Sequence, residues 1–117
     1  MSAHAQKLGN VLIPVSDLDK AVTFYSEILG LTLKFRDGDR FAALDAGGVT
    51  IALAAQAEQV AGSVTAPSYK VGDVAEAVRD LTSAGAELVS GPETGPHEIR
   101  AVLRDPSGNV LVLYSAL

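Results

Sequence analysis

Two blocks of this 117-residue chain recur in the same order, and that repetition limits the folds open to it. Val15-x-Asp17-Leu18 returns 56 positions later as Val71-x-Asp73-Val74, and Ala21-Val22 returns at the same offset as Ala77-Val78. Further along, Asp45, Gly48, Ile51 and Leu53 return 60 positions later as Asp105, Gly108, Leu111 and Leu113. The change of offset places a net insertion of four residues inside the second copy. A chance match explains one such pair, but not easily two aligned blocks in the same order. The chain reads as an internal duplication with looser spacing than a solenoid array. Each copy carries one helix for several strands, so each leaves an apolar sheet face that pairing of the copies would bury.

The elements inside each copy follow from periodicity. Val11, Ile13 and Val15 alternate with Asn10, Leu12 and Pro14, which is the period of a strand. Asp17 offers a carboxylate to the free N–H groups of a helix start. Ala21, Phe24, Tyr25, Ile28 and Leu29 lie at helical spacing, and Gly30 supplies the left-handed residue that stops a helix. Leu31–Arg36, Arg40–Asp45 and Val49–Ala54 then give three strands, separated by Asp37-Gly38-Asp39 and Ala46-Gly47-Gly48 turns. The first module is therefore βαβββ over about residues 8–54, followed by a linker over 55–64 that has room for one helical turn. The second module, about 65–115, repeats the order. It predicts a strand over Ala66–Gly72, an Asp73-capped helix stopped by Gly85, a short strand over Ala86–Ser90, and a breaker-rich loop from Gly91 to Pro96. Strands over His97–Arg104 and Asn109–Ser115 follow, joined by an Asp105-Pro106-Ser107-Gly108 turn. The fold class is α+β, a single domain of two tandem βαβββ modules.

Composition excludes several classes of function. With no cysteine there are no disulfides, thiolate metal sites or cysteine nucleophile. A net charge of −5 and an aromatic content of 5% oppose nucleic-acid binding. The residues before position 9 do not resemble a secretory signal, and no window is apolar enough for a membrane span, so a cytoplasmic protein without a membrane partner is expected. Gly47-Gly48 and Gly91-Pro92 match neither a phosphate-binding loop nor a dinucleotide fingerprint.

Val15-Ser-Asp-Leu-Asp-Lys-Ala-Val-Thr-Phe-Tyr-Ser-Glu-Ile-Leu-Gly30 resembles the opening signature of the vicinal oxygen chelate superfamily, and Asp105-Pro-Ser-Gly-Asn-Val-Leu-Val-Leu113 resembles its closing motif. That superfamily holds glyoxalase I, bleomycin-resistance proteins, extradiol dioxygenases and fosfomycin-resistance enzymes. The resemblance implies paired modules forming a cupped mixed sheet. It also implies, for catalytic members, a divalent metal held by His, Gln or Glu on the first and last strands of each module. Carried over position by position, the ligand sites fall on Asn10, Ala52, Ala66 and Val112. Three are hydrocarbon and the fourth is a carboxamide. A divalent cation needs imidazole, carboxylate or several oxygen donors. A slip of one residue does not help, because Val11, Ile51, Leu53, Pro67, Leu111 and Leu113 are equally poor donors. No metal and no other cofactor is expected.

Other side chains remain as candidates. His97 with Glu98 is a possible acid–base pair beside the Gly/Pro loop, against the plainer reading of an exposed strand start, while His4 reads as a solvated terminus. Arg40 and Arg100 are related by the offset of 60 and make a cationic clamp for a carboxylate or phosphate if both point inward. Lys70 and Arg104 share that ambiguity. Strand alternation puts Asn10, Leu12, Ala52, Ser68, Lys70, Val112 and Tyr114 on the face away from the helices. That is a mostly apolar lining with a few hydrogen-bonding groups, as a pocket for an organic ligand has. The leading expectation is a metal-free binder of a small hydrophobic or aromatic molecule, homodimeric as the resemblance implies. A glyoxalase-type lyase, isomerase or dioxygenase with an atypical site is the alternative, and a non-catalytic interaction module is a third.

Overall fold

A computed structural model describes residues 4–117. The chain divides into two compact units. The N-terminal module is Asn10–Thr65; the C-terminal module is Ala66–Leu117 together with the N-terminal residues through Gly9.

In the N-terminal module, β1 (Lys7–Pro14, its first three residues belonging to the C-terminal module) leads to helix α1 (Leu18–Val22), then β2 (Thr32–Asp37), β3 (Phe41–Asp45) and β4 (Thr50–Ala54). The strand order is β2-β3-β4-β1, with β4 parallel to β1 and the other neighbours antiparallel. In the C-terminal module, β5 (Ala66–Lys70) leads to α2 (Val74–Ser83), then β6 (Glu87–Thr94), β7 (Glu98–Arg104) and β8 (Val110–Ala116). Its order, β5-β8-β7-β6 with β8 parallel to β5, is the same topology read from the other end. The predicted α+β class and the duplicated βαβββ order are both present.

The duplicated residues perform duplicated tasks. Asp17 Oδ1 accepts from Lys20 N–H at 3.1 Å, and Asp73 Oδ1 accepts from Glu76 N–H at 3.0 Å. Each carboxylate satisfies a donor that the first helical turn leaves without a partner. Asp45 Oδ1 accepts from the N–H groups of Gly47 and Gly48, and Asp105 Oδ1 from those of Ser107 and Asn109. Gly48 and Gly108 stand at φ +97° and +92°, a conformation that costs glycine least.

Each sheet buries one face against its helix. Leu18 packs with Ala42, Leu44 and Leu53, joined by Ile13, Val15 and Ile51. Val74, Ala77 and Val78 pack with Val71, Ala101, Leu103 and Leu113. Leu53 and Leu113, a duplicated pair, are both fully enclosed.

Three expectations need correction. The first helix is α-helical only to Val22; Thr23–Ile28 forms a wider π-type turn in which Leu29 N–H donates to Phe24 O at 2.9 Å, five residues back. Ser26 Oγ donates to Val22 O at 2.6 Å, a side-chain competition of the kind that distorts helices. The strict alternation Leu31, Leu33, Phe35 fails because β2 shifts register between Leu33 and Phe35. Leu33 then pairs with helix-side Leu44, whereas Phe35 pairs with Ala43 on the other face. Finally, Gly91–Thr94 is strand rather than loop: β6 continues through it with register shifts on either side of Ser90. Gly91 stands at φ +88°, and a Cβ there would lie 2.6 Å from the Arg100 carbonyl oxygen, so glycine lets the two backbones approach.

Candidate functional site

The four positions that the family would use for metal lie on the faces opposite the helices. In the N-terminal module, Ala52 pairs with Leu12 across β4 and β1, and Asn10 lies on the same side of β1 as Leu12. In the C-terminal module, Val112 pairs with Ser68 across β8 and β5, with Ala66 on the same side of β5. Ala52, Ala66 and Val112 are buried hydrocarbon. Asn10 Oδ1 is buried and has no hydrogen-bond partner. One carboxamide and three alkyl groups offer no anionic or imidazole donor, and among the described residues no group of three or more His, Asp or Glu side chains converges elsewhere. The residues present do not fit the divalent site that the resemblance implies.

The two opposite faces differ in what surrounds them. In the N-terminal module, Leu12, Ala52 and Ala54 pack with Phe41, Val60 and Ala61, so the segment after β4 lies on this face as an apolar cover. It is held there by Gln59, whose Nε2 donates to the carbonyls of Val15 and Ala54, both at 3.1 Å. Arg40 Nη2 donates to Glu58 Oε2 at 2.9 Å on the same segment. In the C-terminal module a polar row crosses the sheet: Lys70 on β5 pairs with Tyr114 on β8, Tyr114 pairs with Arg100 on β7, and Arg100 pairs with Glu93 on β6. Their strand neighbours Tyr69, Leu113, Ile99 and Ala101 face α2, so the row faces away from it. Lys70, Arg100 and Tyr114 are half-buried, and Ser68, one row along, is buried.

Tyr114 lies across Gly9, where a Cβ would come within 1.9 Å of the phenol oxygen. Burial, and then the nearby Glu98 carboxylate, push the Tyr114 hydroxyl above its ordinary pKa, so it is a neutral donor through the physiological range. Glu98 is half-buried and already engaged, whereas His97 is exposed in the bend before β7. Besides that engagement, the Glu98 charge bears on the Tyr114 hydroxyl. His4 is exposed at the start of the described chain. Arg104 Nη1 donates to Glu87 Oε1 at 3.0 Å at the sheet edge.

A groove of about 320 Å³ that no residue pattern announces runs along the outer side of the first helical segment, lined by Asp19, Lys20, Thr23, Phe24 and Ile28. Phe24 and Ile28 are 52% and 74% exposed there, although their spacing had placed them with the core residues of a regular helix. The π-type turn rotates the helix after Val22, and helical periodicity does not foresee that. No helix among the described residues is long and apolar enough to cross a membrane.

Comparison with known proteins agrees with the topology. The chain is 42% identical over 117 residues to an uncharacterised protein of Mycolicibacterium smegmatis, covering 100% of this chain and 98% of that one. Among solved structures it is similar to methylmalonyl-CoA epimerase from Mycobacterium tuberculosis, with a TM-score of 0.72, 25% identity, and coverage of 97% of this chain and 89% of that one. It is also similar in fold to a glyoxalase/bleomycin resistance protein/dioxygenase superfamily member from Vibrio splendidus, with a TM-score of 0.64, 18% identity, and coverage of 91% and 96%. Residues 7–113 match that superfamily directly, and with both βαβββ modules in place the chain belongs to the Glyoxalase/Bleomycin resistance protein/Dioxygenase superfamily.

Proposed function

We propose that the protein binds a small hydrophobic or aromatic molecule on the sheet faces opposite its helices, without a metal. The observation that carries this reading is the chemistry of Asn10, Ala52, Ala66 and Val112: the scaffold is retained while the donor set is replaced by alkyl groups and one carboxamide. The buried, unpartnered Asn10 oxygen supports it, since such an atom gains from a hydrogen-bond donor that a ligand brings. A homodimer belongs to the same proposal. Exposed Phe24, Ile28, Leu29, Leu33 and Phe35 are large apolar groups of the kind that interfaces cover.

Likeness to an epimerase keeps an enzymatic reading as the second one, with Glu98 and Tyr114 as a candidate acid–base pair. An interaction module without a ligand is the third.

Two measurements decide among them. Calorimetric titration of dialysed protein with Zn²⁺, Ni²⁺ and Mn²⁺ is expected to show no stoichiometric binding. A thermal-shift screen of small aromatic and aliphatic compounds is expected to find ligands whose effect is unchanged by EDTA. Stoichiometric metal binding that disappears in Asn10→Ala would overturn the metal-free reading. A screen with no stabilising compound would favour the interaction module.

A further inference from the structure

Four cations were candidates for gripping an anion, and the structure divides them into two pairs. Arg40 and Arg104 are already neutralised, by Glu58 at 2.9 Å and Glu87 at 3.0 Å. Lys70 and Arg100 form no ion pair with a described residue, although both are half-buried on the face away from α2. Glu93, the register partner of Arg100, is exposed and forms no ion pair with it. Glu98, two residues before Arg100 on the same face of β7, is already engaged, and its charge raises the pKa of the Tyr114 hydroxyl.

Lys70 and Arg100 come from the two strands that flank β8, and both are in register with Tyr114. Adjacent strands lie about 4.8 Å apart, so the two charged residues start about 10 Å from each other with the tyrosine between them. The Arg100 guanidinium rests beside Gly95 in the turn between β6 and β7, and two long flexible cationic side chains at that separation have the reach to close on a group the size of a carboxylate or phosphate. Arginine offers a planar fork to two of its oxygens, and lysine adds a point charge. Leaving two like charges half-buried and unpaired is unfavourable, and an anion relieves it. The adjoining row of the same face, Ser68, Val112 and Val102, is already buried, whereas the half-buried Tyr114 ring between the two cations offers an apolar surface to the body of an organic molecule.

We propose that Lys70 and Arg100, arranged on either side of Tyr114, bind the anionic head group of an organic acid, carboxylate or phosphate monoester, whose apolar part rests against the Tyr114 ring. This rests on the ligand-binding reading above and names the chemical class of that ligand.

The test is an amide NMR titration of the isotopically labelled full chain with benzoate, phenyl phosphate and, as the neutral isostere, benzamide. Benzoate or phenyl phosphate is expected to shift the Lys70, Arg100 and Tyr114 signals, and the stronger of the two identifies the head group. Affinity for that anion should fall at least tenfold in Arg100→Gln and in Lys70→Gln, fall less in Arg100→Lys, and stay unchanged in Arg104→Gln. The spectra themselves report whether each variant is folded. Equal affinity for benzamide and benzoate would overturn the anion assignment while leaving the binder reading intact. Anion binding abolished by EDTA would instead overturn the metal-free reading, and binding that persists undiminished in both glutamine variants would remove these residues from the site. Failure of both anions to move the three signals would overturn the proposal.

Discussion

The two modules share a topology and treat their two faces by opposite rules. On the helix side they are near copies: Asp17 and Asp73 cap, Leu53 and Leu113 fill, Asp45 and Asp105 close the last turn. On the other side they part. The N-terminal module lays Val60 and Ala61 over Leu12, Ala52 and Ala54, and ties Arg40 to Glu58. The C-terminal module carries Lys70, Tyr114 and Arg100 across the same side of its sheet. Residues that make the fold are constrained twice, once per copy. The face opposite the helix carries no such constraint, so it is where one copy can become cover and the other a polar row.

If that division is sound, matched substitutions on the helix side should have matched costs. Leu53→Ala and Leu113→Ala each open a cavity in an enclosed cluster and should destabilise by about 2–5 kcal/mol in chemical denaturation, the two within about 1 kcal/mol of each other. A large gap between them would show that the shorter helix of the N-terminal module leaves its core looser. Removing a cap is a smaller blow. Asp73→Ala should cost about 1 kcal/mol, and Asp17→Ala the same or less, because α1 gives way to the π-type turn after Val22. A larger loss at Asp17 would break the comparison in the other direction.

The smallest effect is in acid. Backbone hydrogen bonds, from Gly48 first for Asp45 and from Asn109 first for Asp105, hold both carboxyls below the ordinary carboxylate value. A carboxyl with a lowered folded-state pKa contributes its stability above the unfolded value of about 3.9, and loses it as pH falls through the folded value. Stability should therefore be flat from neutrality to about pH 5 and decline below about pH 4. Asp45→Asn and Asp105→Asn keep an acceptor oxygen but remove the titration, so each should flatten the acid limb by a similar amount in urea melts recorded across pH.

Much of this was legible in the residues. Caps, stops and turn anchors could be read because each depends on one side chain acting on its own neighbours, and the duplication supplied a check on each. The loss of metal donors was legible because it is a matter of residue type at counted positions. Three features were not. A back-bonding Ser26 is compatible with a regular helix, so the sequence does not say that Phe24 and Ile28 will turn outward. Gly91-Pro92 breaks most strands, and only the close approach of the Arg100 carbonyl shows why this one continues. Strand parity places Arg100 and Arg104 on one face but does not reveal that Glu87 reaches only the second of them.

The division of β1 has a consequence for how the chain is made. Gln6 N–H donates to the Lys70 carbonyl at 2.8 Å, and Gly9 is the seat of the Tyr114 ring, so a segment made before the Asn10–Thr65 unit completes a module whose other strands are made after it. At about 5–20 residues per second, that opening segment waits several seconds for its partners. The Asn10–Thr65 unit can form during the wait, but the N-terminal module and the second half of the chain cannot be separated by one cut between residues 65 and 66. A fragment beginning at Ala66 would lack the strand segment that borders β5, and adding the residues through Gly9 as a separate peptide should restore it.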